Sequence, residues 1–177
     1  FVYDPDTGLR TCVIDALTNA TYTAYDVQGR PTNVWGATYP VAYEYDAYGR
    51  MSALKTWRDT NSEPDVTRWF YDEATGLLTN KVYADGNGTA YEYDAAGRLT
   101  RRIWARGVAT DYAYDALGQL TNIDYSDDTP DVSFVYDRMG RQTAITDILG
   151  THINVYDPAT LELVAEQLAD GGSLARG

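Results

Sequence analysis

Several features that often indicate function are scarce or missing in this chain of 177 residues. Its one cysteine, Cys12, allows no disulfide within the chain, and a small buried apolar role is the ordinary one for such a residue. This absence fits either a cytoplasmic or an exported bacterial protein. Its one histidine, His152, has no neighbour in sequence that indicates a nucleophile or a metal partner. The sequence shows no signal-peptide pattern and no apolar run of about 18 residues, the length typical of a transmembrane helix.

Basic residues are also scarce. The chain has 14 Lys and Arg against 26 Asp and Glu, a formal net charge of −12 and an isoelectric point near 4.3. Arg101, Arg102 and Arg106 form the densest basic cluster, which is small in so acidic a chain. Binding to nucleic acid or to an anionic membrane normally requires a face rich in Lys and Arg. The composition therefore argues against both of these partners.

Tyrosine followed by aspartate recurs along the whole chain. Successive copies lie 20 to 26 residues apart. A unit of that size is too small to bury a core alone, so neighbouring units must pack on one another. The sequence therefore predicts a single array of repeats over residues 1–177. The eight copies are Tyr3-Asp4, Tyr25-Asp26, Tyr45-Asp46, Tyr71-Asp72, Tyr93-Asp94, Tyr114-Asp115, Tyr136-Asp137 and Tyr156-Asp157.

A turn signature follows every pair except the last. Glycine stands three residues after the aspartate in five copies and four residues after it in two. Aspartate hydrogen-bonds to backbone amides further along a turn, and glycine takes the positive φ that other residues resist. A type I turn with a glycine bulge fits this spacing and predicts a hairpin corner. The glycines are Gly8, Gly29, Gly49, Gly76, Gly97, Gly118 and Gly140.

The segments on both sides of each corner have the pattern of strands. Upstream, aromatic residues recur at period two, as in Tyr43 and Tyr45, and only a strand places residues i and i+2 on one face. Downstream, a hydroxyl stands three residues after each corner glycine and fixes the register of the outgoing strand. These residues are Thr11, Thr32, Ser52, Thr79, Thr100, Thr121 and Thr143.

A second aromatic position marks the other end of each hairpin. Tyr83, Trp104 and Tyr125 stand seven residues after a corner glycine, Trp35 one residue short of that position and Trp57 one residue beyond it. Each repeat therefore predicts two antiparallel strands and two turns, and the chain a meander of roughly 14 to 16 strands. An open sheet of that width must curve. We expect an all-β antiparallel meander that curls into an open spiral or partial shell.

The eighth unit and the ends depart from the regular pattern. Leu161 stands where the first unit has glycine. A short helix over 158–168 is one alternative there, and the alternation of Leu161, Leu163 and Ala165 favours a strand. Both ends of the sequence cut a repeat without an atypical capping unit. We therefore expect a fragment of a longer repeat protein whose open edges can pair with other chains.

Three short motifs have catalytic or metal-binding counterparts. Asp6-Thr7-Gly8 spells the triplet of aspartic proteases, but the fourth unit has Ala74-Thr75-Gly76 at the same place, so the triplet is the end of a longer turn. Residues 85–88 resemble a calcium loop without its later ligands. The acidic residues within 124–131 are typical of a solvated loop. We expect no catalytic, cofactor-binding or metal-binding residues.

The motif Tyr-Asp-x-x-Gly-Arg at this spacing, as in residues 45–50 and 93–98, resembles the YD-repeat or Rhs-repeat family. That family occurs in bacterial Rhs toxins, in shell components of insecticidal toxin complexes and in animal teneurins. The resemblance implies a hairpin-repeat sheet that spirals into a hollow shell, which in the toxins encloses a toxic polypeptide. It also implies a secreted or cell-surface bacterial location. The chain contains neither the self-cleaving protease segment nor the toxin domain of that family, and it is too short for a whole shell.

Two functions fit these observations. The first is a structural segment of an encapsulating shell, in which rows of Tyr and Trp stack between hairpins. The second is a surface that binds carbohydrate or peptide, because exposed aromatic rings on a concave sheet stack on sugars or hold an extended polypeptide. Exposure of Tyr43, Tyr45, Tyr91 and Tyr93 distinguishes the two functions.

Overall fold

The computed structural model describes residues 1–59 and 62–175. Over these residues the chain forms 17 β-strands and no helix, so no described helix could cross a membrane. Strands that follow one another in the chain pair antiparallel. The predicted all-β meander of hairpins is confirmed, with slightly more strands than the spacing predicted.

Contacts divide the chain into two units, Phe1–Thr89 and Ala90–Gly177. In the first unit each strand pairs with the next one along the chain, which gives an open antiparallel sheet. The strands of this sheet are β1 (Val2–Tyr3), β2 (Arg10–Ile14), β3 (Ala20–Tyr25), β4 (Pro31–Gly36), β5 (Val41–Tyr45), β6 (Met51–Thr56), β7 (Asp65–Tyr71) and β8 (Leu78–Val82).

The second unit has the same connectivity. Its strands pair in chain order as a second open meander, and β9 begins at the last two residues of the first unit. These strands are β9 (Gly88–Tyr93), β10 (Leu99–Ile103), β11 (Ala109–Tyr114), β12 (Leu120–Tyr125), β13 (Val132–Tyr136), β14 (Gln142–Asp147), β15 (Gly150–Tyr156), β16 (Leu163–Gln167) and β17 (Ser173–Ala175).

The corner turns are tight hairpins with a glycine bulge. The amide of Asp26 donates to the carbonyl of Arg30 at 2.9 Å, and the amide of Gly29 donates to the carbonyl of Asp26 at 3.0 Å. Gly29 has a φ of +79°, in the region that favours glycine. This is the type I turn with a glycine bulge that the Asp-x-x-Gly spacing predicts.

A second bulge follows each corner, which the sequence analysis did not predict. Tyr71 faces Leu78 and Phe70 faces Asn80, so Thr79 has no partner across the strands. Its hydroxyl donates to the carbonyl of Phe70 at 3.1 Å. The hydroxyl three residues after the glycine therefore lies on the bulged residue, where it satisfies a carbonyl of the opposite strand. The same bond is formed by Thr11, Thr121 and Thr143.

The other end of several hairpins closes in the same way. The amide of Tyr83 donates to the carbonyl of Asn87 at 2.7 Å, and the amide of Gly86 donates back to the carbonyl of Tyr83 at 3.0 Å. Trp104 and Gly107 form the equivalent turn. An aromatic residue thus begins these turns, where aspartate begins the corner turns.

Each unit has a thin core, because no described helix or second sheet covers either face. The described residues that are buried are small or medium in size, and most strand residues are half-buried. Stability must therefore come from contacts between neighbouring strands. The buried residues are Cys12, Ala53 and Thr89 in the first unit and Ala109 and Thr110 in the second.

Candidate functional site

The corner aspartates hold their turns with both carboxylate oxygens. The Oδ1 atom of Asp46 accepts hydrogen bonds from the amides of Tyr48 and Arg50, each at 2.9 Å. Its Oδ2 atom accepts from Nε of Arg50 at 2.7 Å. One carboxylate therefore satisfies two turn amides and pairs with the arginine that follows the glycine. The same arrangement recurs at Asp26 with Arg30, Asp94 with Arg98 and Asp137 with Arg141.

These bonds favour the charged form of the carboxylates. Burial raises the pKa of Asp46, but the hydrogen bonds from Arg50 and Tyr48 and the Arg50 charge outweigh burial, so the pKa lies below its usual value. Asp26 and Asp137 have the same balance. At Asp94 the hydrogen bond from the backbone amide of Arg98 has the largest influence, and the pKa of Asp94 is again lowered.

The longer corners use threonine instead of arginine. The Thr7 hydroxyl donates to Oδ1 of Asp4 at 2.7 Å, and the Thr75 hydroxyl donates to Asp72 at the same distance. These hydroxyl bonds are the main reason that the pKa values of Asp4 and Asp72 are lowered. Thr7 of the Asp-Thr-Gly triplet therefore serves its own turn.

The eighth corner has the same hydrogen bonds without glycine. The amide of Leu161 donates to the carbonyl of Asp157 at 2.8 Å, as the amide of Gly8 donates to Asp4 at 2.9 Å in the first corner. Leu161 has a φ of +65°, which L-residues with a side chain rarely adopt. A strand, β16, follows this turn. The interpretation of this region as a strand is therefore correct, and the helix alternative is wrong.

Six corner tyrosines donate a hydrogen bond from their hydroxyl to a backbone carbonyl of the preceding repeat. The hydroxyl of Tyr71 donates to the carbonyl of Met51 at 2.9 Å, and the hydroxyl of Tyr114 donates to the carbonyl of Leu99 at 2.8 Å. The accepting residue always stands two positions after the corner glycine of the earlier repeat. The other bonds of this kind are Tyr25 to Arg10, Tyr45 to Pro31, Tyr136 to Leu120 and Tyr156 to Gln142.

In the four corners that have an arginine after the glycine, this arginine reaches forward to the next repeat. The guanidinium of Arg50 lies over the ring of Tyr71, 4.2 Å from its centroid, and Nη1 donates to the carbonyl of Gly76 at 3.2 Å. Such a cation–π contact stabilises by about 0.5–1 kcal/mol at an exposed position. Equivalent contacts join Arg30 to Tyr45, Arg98 to Tyr114 and Arg141 to Tyr156.

One of the five short corners lacks this arginine. Gln119 follows Gly118, and the backbone amide of Gln119 donates to Oδ1 of Asp115 at 2.9 Å. Its side chain still reaches the carbonyl of Gly140 at 3.2 Å. The forward hydrogen bond is thus kept. A neutral amide cannot form the ion pair with aspartate or the cation–π contact with the next tyrosine ring.

Rows of Tyr and Trp were expected to stack between hairpins, and among the contacts described the corner tyrosines do not stack on one another. The stacked aromatic pair in the described residues is Tyr22 with Trp35, at 5.7 Å between centroids, and neither is a corner residue. Corner tyrosines of successive repeats lie two strands apart, about 10 Å, whereas stacked rings need about 4.5–7 Å. A guanidinium fills this space instead.

A second aromatic row lies two residues before the corner tyrosines. Tyr43 and Tyr91 of this row are half-buried, as are Tyr45 and Tyr93. Burial raises the pKa of Tyr93. None of the four rings is openly exposed, which favours packing over ligand binding at these residues.

Two cations lie within the aromatic row. Lys81 lies near the rings of Trp69 and Tyr83, at 5.3 and 5.0 Å from the centroids. In the other unit Arg102 lies 3.4 Å from the centroid of Trp104, and its buried Nε atom has no hydrogen-bond partner. These cation–π contacts resemble those at the corners, and each cation contacts rings of its own unit.

The remaining motifs of the sequence lie in ordinary structural surroundings. The Oδ1 atom of Asp85 accepts from the amide of Asn87 at 2.9 Å within a hairpin turn. His152 lies on β15 with Nε2 3.9 Å from Oδ1 of Asp147, and Cys12 is buried on β2. Over residues 1–59 and 62–175, no three His, Cys, Asp or Glu side chains are grouped so that they could hold a metal ion.

Comparison with known families and structures agrees with this geometry. The family model described as RHS Repeat matches residues 71–103 and 114–152. Over these residues, the repeat predicted from the Tyr-Asp motifs is confirmed as the RHS repeat. No curated protein matches the chain.

Solved structures share the fold. The crystal structure of TcdB2-TccC3 matches 95% of this chain with 17% identity and a TM-score of 0.53. The TcdB2-TccC3-Cdc42 structure matches 92% of the chain with 16% identity and a TM-score of 0.51. This chain spans 11% of the length of either one. At this identity the likeness shows that the RHS repeat of this chain has the same fold as part of those proteins.

Proposed function

We propose that this RHS-repeat chain is a wall segment of an encapsulating shell in a polymorphic toxin or a related exported protein. The whole of 1–177 then acts as one structural array, and its partners are further repeats of a parent protein and a polypeptide enclosed by them. A secreted or cell-surface bacterial location belongs to the same proposal.

The observation that carries this proposal is the repeated bond from a corner tyrosine hydroxyl to the carbonyl of the preceding repeat, as from Tyr45 to Pro31 at 2.9 Å. Within each unit, these hydroxyl bonds tie a repeat to the one before it, and the forward contacts of the corner arginines tie a repeat to the one after it. A wall one sheet thick needs such ties, because it has no deep core. The corner residues are assigned this structural role.

The alternative, a surface that binds carbohydrate or peptide through the tyrosine rows, has less support. The corner hydroxyls described above already donate to backbone carbonyls, and the rings are half-buried under guanidinium groups. A ligand would have to displace contacts that hold the repeats together.

The test uses the full-length protein that contains this chain. The enclosed polypeptide should resist a protease that rapidly digests the same polypeptide when it is expressed alone. Tyr45→Phe and Tyr71→Phe together should weaken the wall and speed digestion, whereas Tyr48→Phe, at an exposed turn residue, should not. Equal digestion of the enclosed and the separate polypeptide would reject the shell.

A further inference from the structure

Two tryptophans break the aromatic column at the far end of the hairpins, and the offset places them on the other face of the sheet. Trp35 faces Tyr22 across β3 and β4, and Tyr22 and Tyr25 lie on opposite faces because strand residues alternate. Trp104, at the regular position, instead lies against Arg102, whose guanidinium also lies 5.6 Å from the ring centroid of Tyr91 in the aromatic row. A shift of one residue inverts the face of a side chain. Trp35 therefore lies opposite the corner tyrosines.

Trp35 and Trp57 line one groove of about 410 Å³, together with Asn33, Pro40 and Val41. The groove lies at the end of the β4–β5 ladder, around its last pair, Val34 with Val41. This volume is within the range of sites that bind small molecules or a few residues of a peptide. Trp35 stacks on Tyr22 with one side of its ring but is still 42% exposed, so part of the ring is open to a ligand.

A second recess adjoins the groove, and its lining includes Tyr39 and Asp59. Tyr39 is 72% exposed. Tyr39, Trp35 and Trp57 thus give a row of aromatic surfaces next to a proline. Exposed large rings that gather in one place are typical of a binding surface.

The groove also contains polar groups that have no partner within the described residues. The indole N–H groups of Trp35 and Trp57 and the side-chain amide of Asn33 form no hydrogen bond there. In contrast, Nε1 of Trp104 donates to the hydroxyl of Thr110 at 2.9 Å. The two groove tryptophans therefore keep a donor available beside an apolar surface, an arrangement that suits a ligand with isolated acceptors.

We propose that this groove binds a proline-rich, basic peptide in the polyproline II conformation. A polyproline II segment has no internal hydrogen bonds, so its carbonyls remain available to indole N–H donors, and its proline rings fit grooves lined by aromatic residues. A sugar ring suits the groove less well. Its several hydroxyls would meet one amide and otherwise apolar walls, and each unsatisfied hydroxyl that is buried weakens binding.

Charge selects the basic form of this peptide. The chain has a net charge of −12. The recess beside the groove is lined by the guanidinium of Arg58 and the carboxylate of Asp59, and Arg58 is already paired with Asp65 at 3.0 Å. A peptide with Lys or Arg between its prolines would be attracted to this surface, while an acidic one would be repelled.

The test is a titration of the protein with peptide, monitored through the NMR resonances of the four tryptophan indole N–H groups. The probe is a synthetic ten-residue peptide of alternating proline and lysine. We expect the indole resonances of Trp35 and Trp57 to shift and those of Trp69 and Trp104 to stay. Binding should weaken about tenfold when glycine replaces proline, because the free peptide loses its preformed conformation. Binding should weaken by about as much when glutamate replaces lysine.

Two matched variants separate the groove from the fold. Trp35→Phe and Trp57→Phe keep a ring but lose the N–H donor, and each should weaken binding about tenfold. Trp69→Phe makes the same change in the same unit beside Lys81 and should leave the affinity unchanged. Circular dichroism of each variant checks that it is folded.

The outcomes are decisive. Absence of a shift in both groove indoles at millimolar peptide would overturn the proposal, as would equal binding of the glycine peptide. If a β-linked oligosaccharide shifted the same indole resonances and bound more tightly than the peptide, the groove would be assigned to glycans instead. None of these results depends on the shell proposal, which the protease experiment tests separately.

Discussion

The hydroxyl of Tyr71 lies 2.9 Å from the carbonyl oxygen of Met51, a residue 20 positions earlier in the chain. This side-chain bond joins two repeats and is separate from the backbone hydrogen bonds that pair their strands. Because the Arg50 guanidinium covers the same ring, one tyrosine side chain receives contacts from two neighbouring groups of the preceding repeat. The corner therefore adds side-chain contacts between the repeats to the backbone pairing of β6 with β7.

Removal of this hydroxyl should lower stability. Tyr71→Phe leaves the ring under Arg50 but leaves the Met51 carbonyl without its donor, so the free energy of unfolding should fall by about 0.5–1.5 kcal/mol. Urea unfolding followed by circular dichroism measures the change. Tyr48→Phe is the matched control, since the Tyr48 side chain is 81% exposed. An equal effect of both substitutions would show that the bond to Met51 contributes nothing specific.

The short corner that has glutamine instead of arginine offers a test in the opposite direction. Gln119→Arg would allow an ion pair with Asp115 and a guanidinium over Tyr136, as Arg98 pairs with Asp94 and lies over Tyr114. We expect a gain of about 0.5–1 kcal/mol in the free energy of unfolding.

The reciprocal variant, Arg98→Gln, should lower the free energy of unfolding in the same unit. Thermal unfolding of both proteins, at low and at high salt, measures the pair of effects, and salt should reduce both. If Gln119→Arg were neutral at low salt, the arginine contacts would be an arrangement without energetic consequence.

Leu161 is a position where a substitution should stabilise the protein. Its φ of +65° costs an L-residue about 1–2 kcal/mol, and Leu161→Gly removes that cost at the expense of greater freedom in the unfolded chain. We expect a net gain of about 0.5–1 kcal/mol in the free energy of unfolding. Leu117→Gly, in a corner whose positive φ is already taken by Gly118, should give no gain. A loss of stability in Leu161→Gly would contradict the strain argument.

Much of the fold follows from the sequence because the repeat shows the same local signals many times. Asp26 and Gly29 predict a tight turn by themselves, and Tyr43 with Tyr45 predicts a strand by its period. Repetition removes the ambiguity that each short motif has alone. The turn type, the meander and the strand after Leu161 could all be derived in this way.

The contacts between repeats could not be derived in the same way. The position of Arg50 over Tyr71 depends on the distance between alternate strands, which no local motif contains. The bulge at Thr79 was also missed, since a hydroxyl column is equally consistent with an unbroken ladder. A signal for the arginine did exist in the Gly-Arg step of the motif, yet sequence alone does not say which neighbour the side chain meets.

Acid should weaken the corners. The pKa of Asp46 lies below its usual value in the folded chain, because the hydrogen bonds and charge of Arg50 outweigh the opposing effect of burial. A group with a depressed folded pKa stabilises the fold above its unfolded pKa, about 4, and loses this contribution as the pH falls through the folded pKa. The free energy of unfolding should therefore be level near neutral pH and decrease below about pH 4.

Asp46→Asn should remove part of that decrease, because the amide cannot gain a proton in this range. The variant should be less stable than the original chain at pH 7 and should approach it at pH 3. Asp6→Asn, at an exposed turn residue, should follow the pH dependence of the original chain. Urea unfolding at a series of pH values between 7 and 3 measures all three proteins. A pH profile of Asp46→Asn parallel to that of the original chain would mean that the Asp46 carboxylate does not stabilise its corner through its charge.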